Sequence, residues 1–324
     1  MESGPITIPP KVSVIMPTYM TAHLIAGALD SVFRQTFREF EIVVVNDGSP
    51  DTIELERVLA PYQEKIVYIK QENKRAAGAR NTAIDRARGE FLAFLDSDDT
   101  WLPDHLALQM KLFEQDPALD LVYCDGMVDT PDGSRSFMET CPSRGPATFD
   151  ALVVERCQIP VSTVVARRLA LEKANFFDES LARCDDYDMW LRAAFWGAKI
   201  GYSQNVQARF SGNRPGALGA SSVKMTEAYW KILEKAIQTL PLDDTQKQLV
   251  QGRAAEARAQ YLLEQGKSHL HEGRLGEARE VLSESNMQFQ KPKLTLVLWG
   301  LKIAPGTTRK LVSFANRVRQ VVSS

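Results

Sequence analysis

The chain has little sulfur and none of it in an arrangement that does chemistry. Its four cysteines, Cys124, Cys141, Cys157 and Cys184, stand singly with no C-x-x-C pair. A zinc centre or dithiol redox site is thereby excluded, and a reducing cytoplasm is the expected location. Histidine is equally scarce, four residues with no H-E-x-x-H spacing, which removes the zinc hydrolases. No apolar stretch reaches the ~18–20 residues needed to cross a bilayer; the longest, Leu294 to Ala304, is broken by Lys302. Met1 to Pro10 shows neither the basic start nor the apolar centre of a secretory signal. A net charge of −2 argues against a nucleic-acid partner, yet it hides an asymmetry. Between Asn286 and Ser324 there are seven Lys/Arg and no Asp/Glu, leaving 32 basic and 41 acidic residues elsewhere. That end of the chain suits a negatively charged surface.

What is present is ordinary globular composition, 44% hydrophobic and 25% charged over 324 residues, enough for one large domain and an appendage. Strand and helix signals alternate from residue 11. Val12–Met16, Glu41–Val45, Ile66–Ile69 and Phe91–Leu95 read as strands; His23–Gln35, Thr52–Tyr62 and Ala77–Arg86 read as helices. Strands apolar on both faces and separated by helices predict an α/β fold with a mostly parallel sheet flanked by helices. A helix over Pro103–Gln115, a strand over Leu119–Tyr123, a loop-rich excursion over 130–148 and helices at Phe149–Glu155, Ala166–Ala174 and Asp186–Trp196 continue the pattern. Beyond residue 222 only helical periodicity remains. Gly266, Gly273 and Ala278 are spaced like one tetratricopeptide hairpin. The expected organisation is a catalytic domain over 1–222, a helical region over 223–290 and a basic amphipathic tail over 291–324. In the tail, Leu311, Val312, Phe314, Ala315, Val318 and Val321 line one side of a helix and Arg309, Lys310, Arg317 and Arg319 the other. Either contact with an anionic membrane or packing on the protein fits that pattern.

In open α/β sheets ligands gather outside the carboxyl ends of the strands. Three polar clusters fall there: Pro17-Thr18-Tyr19, Asn46-Asp47-Gly48-Ser49 and Asp96-Ser97-Asp98. Alternate residues of an extended chain project to one side, so Asp96 and Asp98 converge. Two hard oxygen ligands with most coordination positions open suit Mg²⁺ or Mn²⁺ carrying a diphosphate.

Five motifs in fixed order then carry a resemblance. They are Val12–Tyr19, Val45-Asn46-Asp47-Gly48-Ser49, Gly78-Ala79-Arg80-Asn81, Phe94-Leu95-Asp96-Ser97-Asp98-Asp99 and Asp185-Asp186-Tyr187-Asp188-Met189-Trp190-Leu191. Over residues 10 to 215 the chain resembles the family 2 inverting glycosyltransferases, which have the GT-A fold. The resemblance implies transfer of a sugar from a nucleotide-diphosphate sugar, a UDP-sugar foremost, to a glycan or lipid-linked acceptor in surface polysaccharide or glycolipid synthesis, with Mn²⁺ or Mg²⁺ as cofactor. It places the enzyme in the cytoplasm, at the inner face of the membrane.

By the same resemblance, Tyr19 packs on the base with Pro17 and Thr18 shaping the wall, and Asp47 accepts from the base. Arg80 lies near base and diphosphate, and Asp96 touches the ribose and reaches the metal through water. Ser97 counts with the donor-binding residues, Asp98 is the direct metal ligand and Asp186 is the general base. The family writes Glu-Asp where this chain has Asp185-Asp186, so the shorter Asp185 must keep the supporting contacts. Arg209, after a short strand expected at Val206-Gln207-Ala208, stands where a basic residue meets the phosphates, Phe210 replaces a common histidine, and Arg214 in the glycine-rich run 212–219 offers a further phosphate contact. Asp99 is either a third ligand or the N-cap of the next helix, the cap being expected. Trp190 is expected in the core. Two other readings stay open: a sugar-phosphate nucleotidyltransferase, which should show a glycine-rich basic loop where Pro17–Met20 stands, and a non-catalytic scaffold acting through the helical tail.

Overall fold

Four parallel strands build one half of the sheet in the computed structural model, which describes residues 10–130, 133–140, 143, 146–211 and 222–311. β1 (Val12–Thr18), β2 (Phe40–Asp47), β3 (Val67–Gln71) and β4 (Phe91–Phe94) pair in the order β3-β2-β1-β4, all parallel. Their connections are α1 (Ile25–Phe33), α2 (Thr52–Leu59) followed by a 3₁₀ segment Ala60–Lys65, and α3 (Arg75–Arg86). Parallel pairing brings the carboxyl ends to one edge: Thr18 lies opposite Asn46, and Ile15 opposite Phe94. Val12, Val14, Met16, Ile42 and Val44 are fully enclosed beneath α1 and α2 by Ile25, Leu29, Leu55 and Leu59. Burying such side chains is worth about 1.5–3 kcal/mol each.

The other half of the sheet is mixed, so the parallel expectation holds for the first four strands. β5 (Thr100–Trp101), β6 (Leu121–Thr130), β7 (Gly133–Ser136), β8 (Val165–Arg167) and β9 (Ile200–Phe210) complete nine strands in one sheet among the described residues. β8 runs antiparallel to β4 and β6, β9 is parallel to β6, and β5 is antiparallel to β9. Around them lie α4 (His105–Gln115), α5 (Phe137–Thr140), α6 (Phe149–Val153), α7 (Arg168–Lys173) and α8 (Asp185–Phe195). Three expectations change here. Part of the excursion 130–148 is the β6–β7 hairpin and α5. The helix expected from Ala166 begins only at Arg168, because Val165–Arg167 is taken as a ladder between β4 and β6. The short strand expected at 206–208 is the end of an eleven-residue β9.

The chain divides into two compact units, 1–214 and 215–324. In the second, α9 (Ser222–Thr239), α10 (Asp244–Glu272), α11 (Leu275–Phe289) and α12 (Pro292–Ile303) follow one another. Asp243 and Gln246 form a capping box at the start of α10, and Gly273 ends it at φ +84. That left-handed corner is one glycine adopts without a side-chain clash. At Gly266 a methyl group would stand 2.4 Å from Leu282, so its lack of a side chain lets α11 approach. Leu294 and Leu301 of α12 join Leu270, Ala278 and Leu282 in a small core, so the expected tail boundary at 291 falls inside this unit. Among the described residues no helix is long and apolar enough to cross a membrane. Arg214, the glycine-rich run 212–219 and the tail from 312 onward lie outside the described residues.

Candidate active site

The edge where β1, β2 and β4 end carries the first polar clusters. Asn46 is fully buried and ties the turn together: its amide donates to Thr52 and Tyr68 (both 2.9 Å), and its oxygen accepts from the Ser49 backbone N–H. Gly48 sits at φ +64, and a Cβ there would come within 2.9 Å of the Asn73 nitrogen. Asp47 accepts from Gln71 Nε2 (2.7 Å) and the Lys74 backbone N–H (2.8 Å), both at Oδ1. Pro17 and Thr18 end β1, and beyond them Tyr19 and Met20 are about half exposed. Thr18 meets Thr21 at 2.8 Å, and Thr21 meets Ser97 at 2.7 Å, so Ser97 is buried as a brace between two loops.

After β4 the chain turns through Asp96–Asp99, closed by the Asp99 N–H donating to the Asp96 carbonyl at 3.0 Å. The carboxylates of Asp96, Asp98 and Asp99 each offer an oxygen within 4.8 Å of the others. Asp99 does not cap α4, contrary to the expectation. β5 intervenes, Asp104 occupies the cap position without a side-chain bond, and Asp99 is held inward by the Ser162 hydroxyl (2.6 Å) and the Ser211 N–H (3.1 Å). Burial pushes its carboxyl up to about 8, with the charges of Asp96 and Asp98 adding to the rise. Three crowded carboxyls, one of them reluctant to ionise, fit a divalent cation with hard oxygen preference, which would relieve the repulsion.

Arg80, on α3, joins this turn to a distant helix. Its guanidinium donates to Asp96 at 2.7 Å and to Asp185 at 2.6 Å, with 5% of the side chain exposed. Burial alone would lower its affinity for the proton, but Asp96, Asp185 and Asp186 outweigh that and hold it charged. It lies over the Phe177 ring at 5.5 Å, and Phe177 meets Phe94 and Trp190 edge to face. Asp185 therefore reaches its partner despite lacking the extra methylene of glutamate.

Asp186 follows at the start of α8, after Cys184 at φ +55. Burial pushes its carboxyl up to about 6; Asp185 adds to the rise, and Arg80 and the Tyr187 N–H oppose it. Asp188 turns away and pairs with Arg192 at 2.7 Å, and Trp190 is buried in the core as expected.

Arg209 is turned toward Asp129 (2.7 Å) and the Ser134 hydroxyl (3.3 Å) rather than toward Arg80 and its partners. Phe210 fills the space over Gly126, where a Cβ would stand 2.5 Å from its ring. Sequence reasoning missed Thr21, Gln71, Ser162 and Ser211. Each supports site residues through hydrogen bonds, Thr21 reaching both Thr18 and Ser97 and Ser162 both Asp96 and Asp99, and none belongs to a motif that marks it.

The profile of Glycosyl transferase family 2 matches residues 13–161. The chain spans 26% and 59% of the lengths of two Rickettsia glycosyltransferases to which it is 30% identical. It is 33% identical over 181 residues to the UDP-Glc:alpha-D-GlcNAc-diphosphoundecaprenol beta-1,3-glucosyltransferase WfgD of Escherichia coli, an alignment covering 56% of this chain and 68% of WfgD. Among solved structures, S. aureus TarS 1–349 in complex with UDP-GlcNAc is similar with TM-score 0.62 at 19% identity, covering 95% of this chain and 91% of the other. The mannosyltransferase PcManGT of Pyrobaculum calidifontis, in complex with GDP-Man and Mn²⁺, is similar with TM-score 0.60 at 21% identity, covering 95% and 84%. At such identities the likeness establishes the fold, and the family follows from the sequence match: the chain belongs to glycosyl transferase family 2.

Proposed function

We propose that this chain transfers a sugar from a nucleoside diphosphate sugar, a UDP-sugar foremost, to an acceptor hydroxyl with inversion at the anomeric carbon. The observation that carries this reading is the Arg80 guanidinium, bonded on one side to Asp96 of the acidic turn and on the other to Asp185, the neighbour of Asp186. It couples an anion-handling edge to a carboxylate suited to take a proton. Tyr19, with Pro17 and Thr18 behind it, offers an exposed ring for the base, and Asp47 has its Oδ2 to accept from a base N–H. Stacking on a base is worth about 1–3 kcal/mol.

Asp186 is the general base. The acceptor oxygen forms a bond to the anomeric carbon as the bond from that carbon to the diphosphate breaks. Its proton passes to the Asp186 carboxylate, and the electron pair leaves with the nucleoside diphosphate. A base near pH 6 is ionised at neutral pH yet still basic enough to accept the proton. Asp98, with Asp96 and Asp99 beside it, would hold Mn²⁺ or Mg²⁺, which when bound neutralises charge growing on the departing diphosphate. Arg80 holds Asp96 and Asp185 in place, and Ser162 holds Asp99.

The acceptor is a glycan or lipid-linked sugar, supported by the lipid diphosphate in the name of WfgD. A lipid-linked acceptor implies work in the cytoplasm at the inner membrane face. The direct test is release of UDP or GDP from a panel of nucleotide sugars with and without Mn²⁺, followed by determination of the product anomer. Release from none of them overturns the reading; a retained anomer overturns inversion.

A further inference from the structure

α12 is apolar on two faces, and the second unit covers one of them. Leu294 and Leu301 are buried against α10 and α11. Leu296, Trp299 and Ile303 are 68%, 63% and 61% exposed. Their spacing of three and four residues sets them in one row along the helix. Lys293 stands one turn before that row and Lys302 closes it; both are exposed. Met287 at the end of α11 is exposed as well. Between the two helices lies a groove of about 850 Å³ whose lining includes Met287, Leu298, Trp299, Arg279 and Lys302. Glu280 and Glu284 face it from α11, Glu284 being paired with Arg258.

A row of large apolar side chains left in water marks a contact surface. The surrounding charge says which kind. From Asn286 to Ser324 every charged residue is a cation. Two copies of this face brought together would set lysine against lysine, the nearest acids, Glu280 and Glu284, standing across the groove on α11 with Glu284 already paired with Arg258. A bilayer with anionic headgroups answers both features: apolar side chains enter the acyl boundary, and the flanking lysines meet lipid phosphates. Tryptophan, apolar in its rings and polar at its N–H, suits that depth.

We infer that the outer face of α12, through Leu296, Trp299 and Ile303 with Lys293 and Lys302, is the surface by which this chain rests on an anionic lipid bilayer. The role extends the lipid-linked acceptor proposed above, but vesicle binding is measured without donor or acceptor. Its failure and the failure of sugar transfer are therefore separate results.

The experiment is flotation of the full chain with vesicles of phosphatidylcholine alone or mixed with phosphatidylglycerol. The wild type should float with the mixed vesicles and be released by salt. Leu296→Ser combined with Trp299→Ser, and independently Lys293→Glu with Lys302→Glu, should each weaken binding roughly tenfold or more. Both variants should keep wild-type melting curves and wild-type release of UDP from the donor. The inference is overturned by wild type that floats with neither vesicle, by binding that both variants retain, or by a wild-type dimer that either variant splits in the absence of lipid binding.

Discussion

Arg80 and Asp185 form a buried ion pair 2.6 Å long across 105 residues of sequence. The pair stands on a third group, since the same guanidinium holds Asp96 at 2.7 Å. Removing the cation leaves Asp185 in a poorly solvated place without compensation. Arg80→Met should lower unfolding stability by about 3–5 kcal/mol, read from denaturant midpoints at constant slope. Arg80→Lys keeps the charge but not the fork, and should recover part of the stability without restoring transfer. A loss under about 1 kcal/mol for the methionine variant would show that the pair does not hold the edge together.

With Asp186 as the proposed base, its titration sets the expected pH dependence. Below about pH 6 it is protonated and cannot accept the acceptor's proton. Transfer should therefore rise with pH through about 6 and level off above. Asp186→Asn should cut turnover by about 10²–10⁴-fold and remove that rise, with UDP affinity near wild type by calorimetry. Turnover that survives the exchange places the base elsewhere.

The same carboxyl predicts a stability change of opposite sign. Its folded pKa is raised from 3.8 to about 6, so folding favours the protonated form. That contribution is complete below about pH 4 and is lost as pH rises through 6. Asp186→Asn should then gain about 1–3 kcal/mol at pH 7–8 relative to the wild type, and little at pH 4. Parallel denaturant titrations at the two pH values check it; a gain that is equal at both removes the carboxyl as its source.

UDP with Mn²⁺ should raise the melting temperature, since ligand at a hundredfold its dissociation constant adds about 2.7 kcal/mol. Asp98→Ala should abolish the part that depends on Mn²⁺. A shift that persists in this variant removes Asp98 from the metal site.

In the helical unit, Gly266→Val should destabilise by about 1–3 kcal/mol through overpacking against Leu282. Gly252, with no atom within 4 Å of its would-be Cβ, is the control: Gly252→Ala should stabilise by about 0.5–1 kcal/mol. Thermal melts of the two variants should move in opposite directions.

β1 to β4 are legible in the sequence because each carries a run of apolar residues ending in polar ones, the pattern of strands in a helix-flanked parallel sheet. Less is legible where the pattern is short or compromised. Val165–Arg167 is too brief to show a period and borrows its identity from β4 and β6. β9 is half polar along its length, so only its enclosed end around Ala208 read as strand. Pro131 and Gly133 made a hairpin look like loop. Among the site residues, Asp96, Asp98, Asp186 and Arg80 announce themselves by motif, and α3 and α8 bring Arg80 and Asp185 together. Asp99 misled because aspartate before a helical pattern is a common cap, whereas its partners Ser162 and Ser211 lie 63 and 112 residues away. Such distant donors, a hydroxyl from Ser162 and a backbone N–H from Ser211, have no local signature; only the folded chain shows what they touch.

Phe177 has its ring beneath Arg80 and its edges against Phe94 and Trp190. A random-variant library scored for lost turnover should return this phenylalanine beside the aspartates, although its side chain is buried. Sensitivity to mutation will therefore overstate the footprint of whatever is bound.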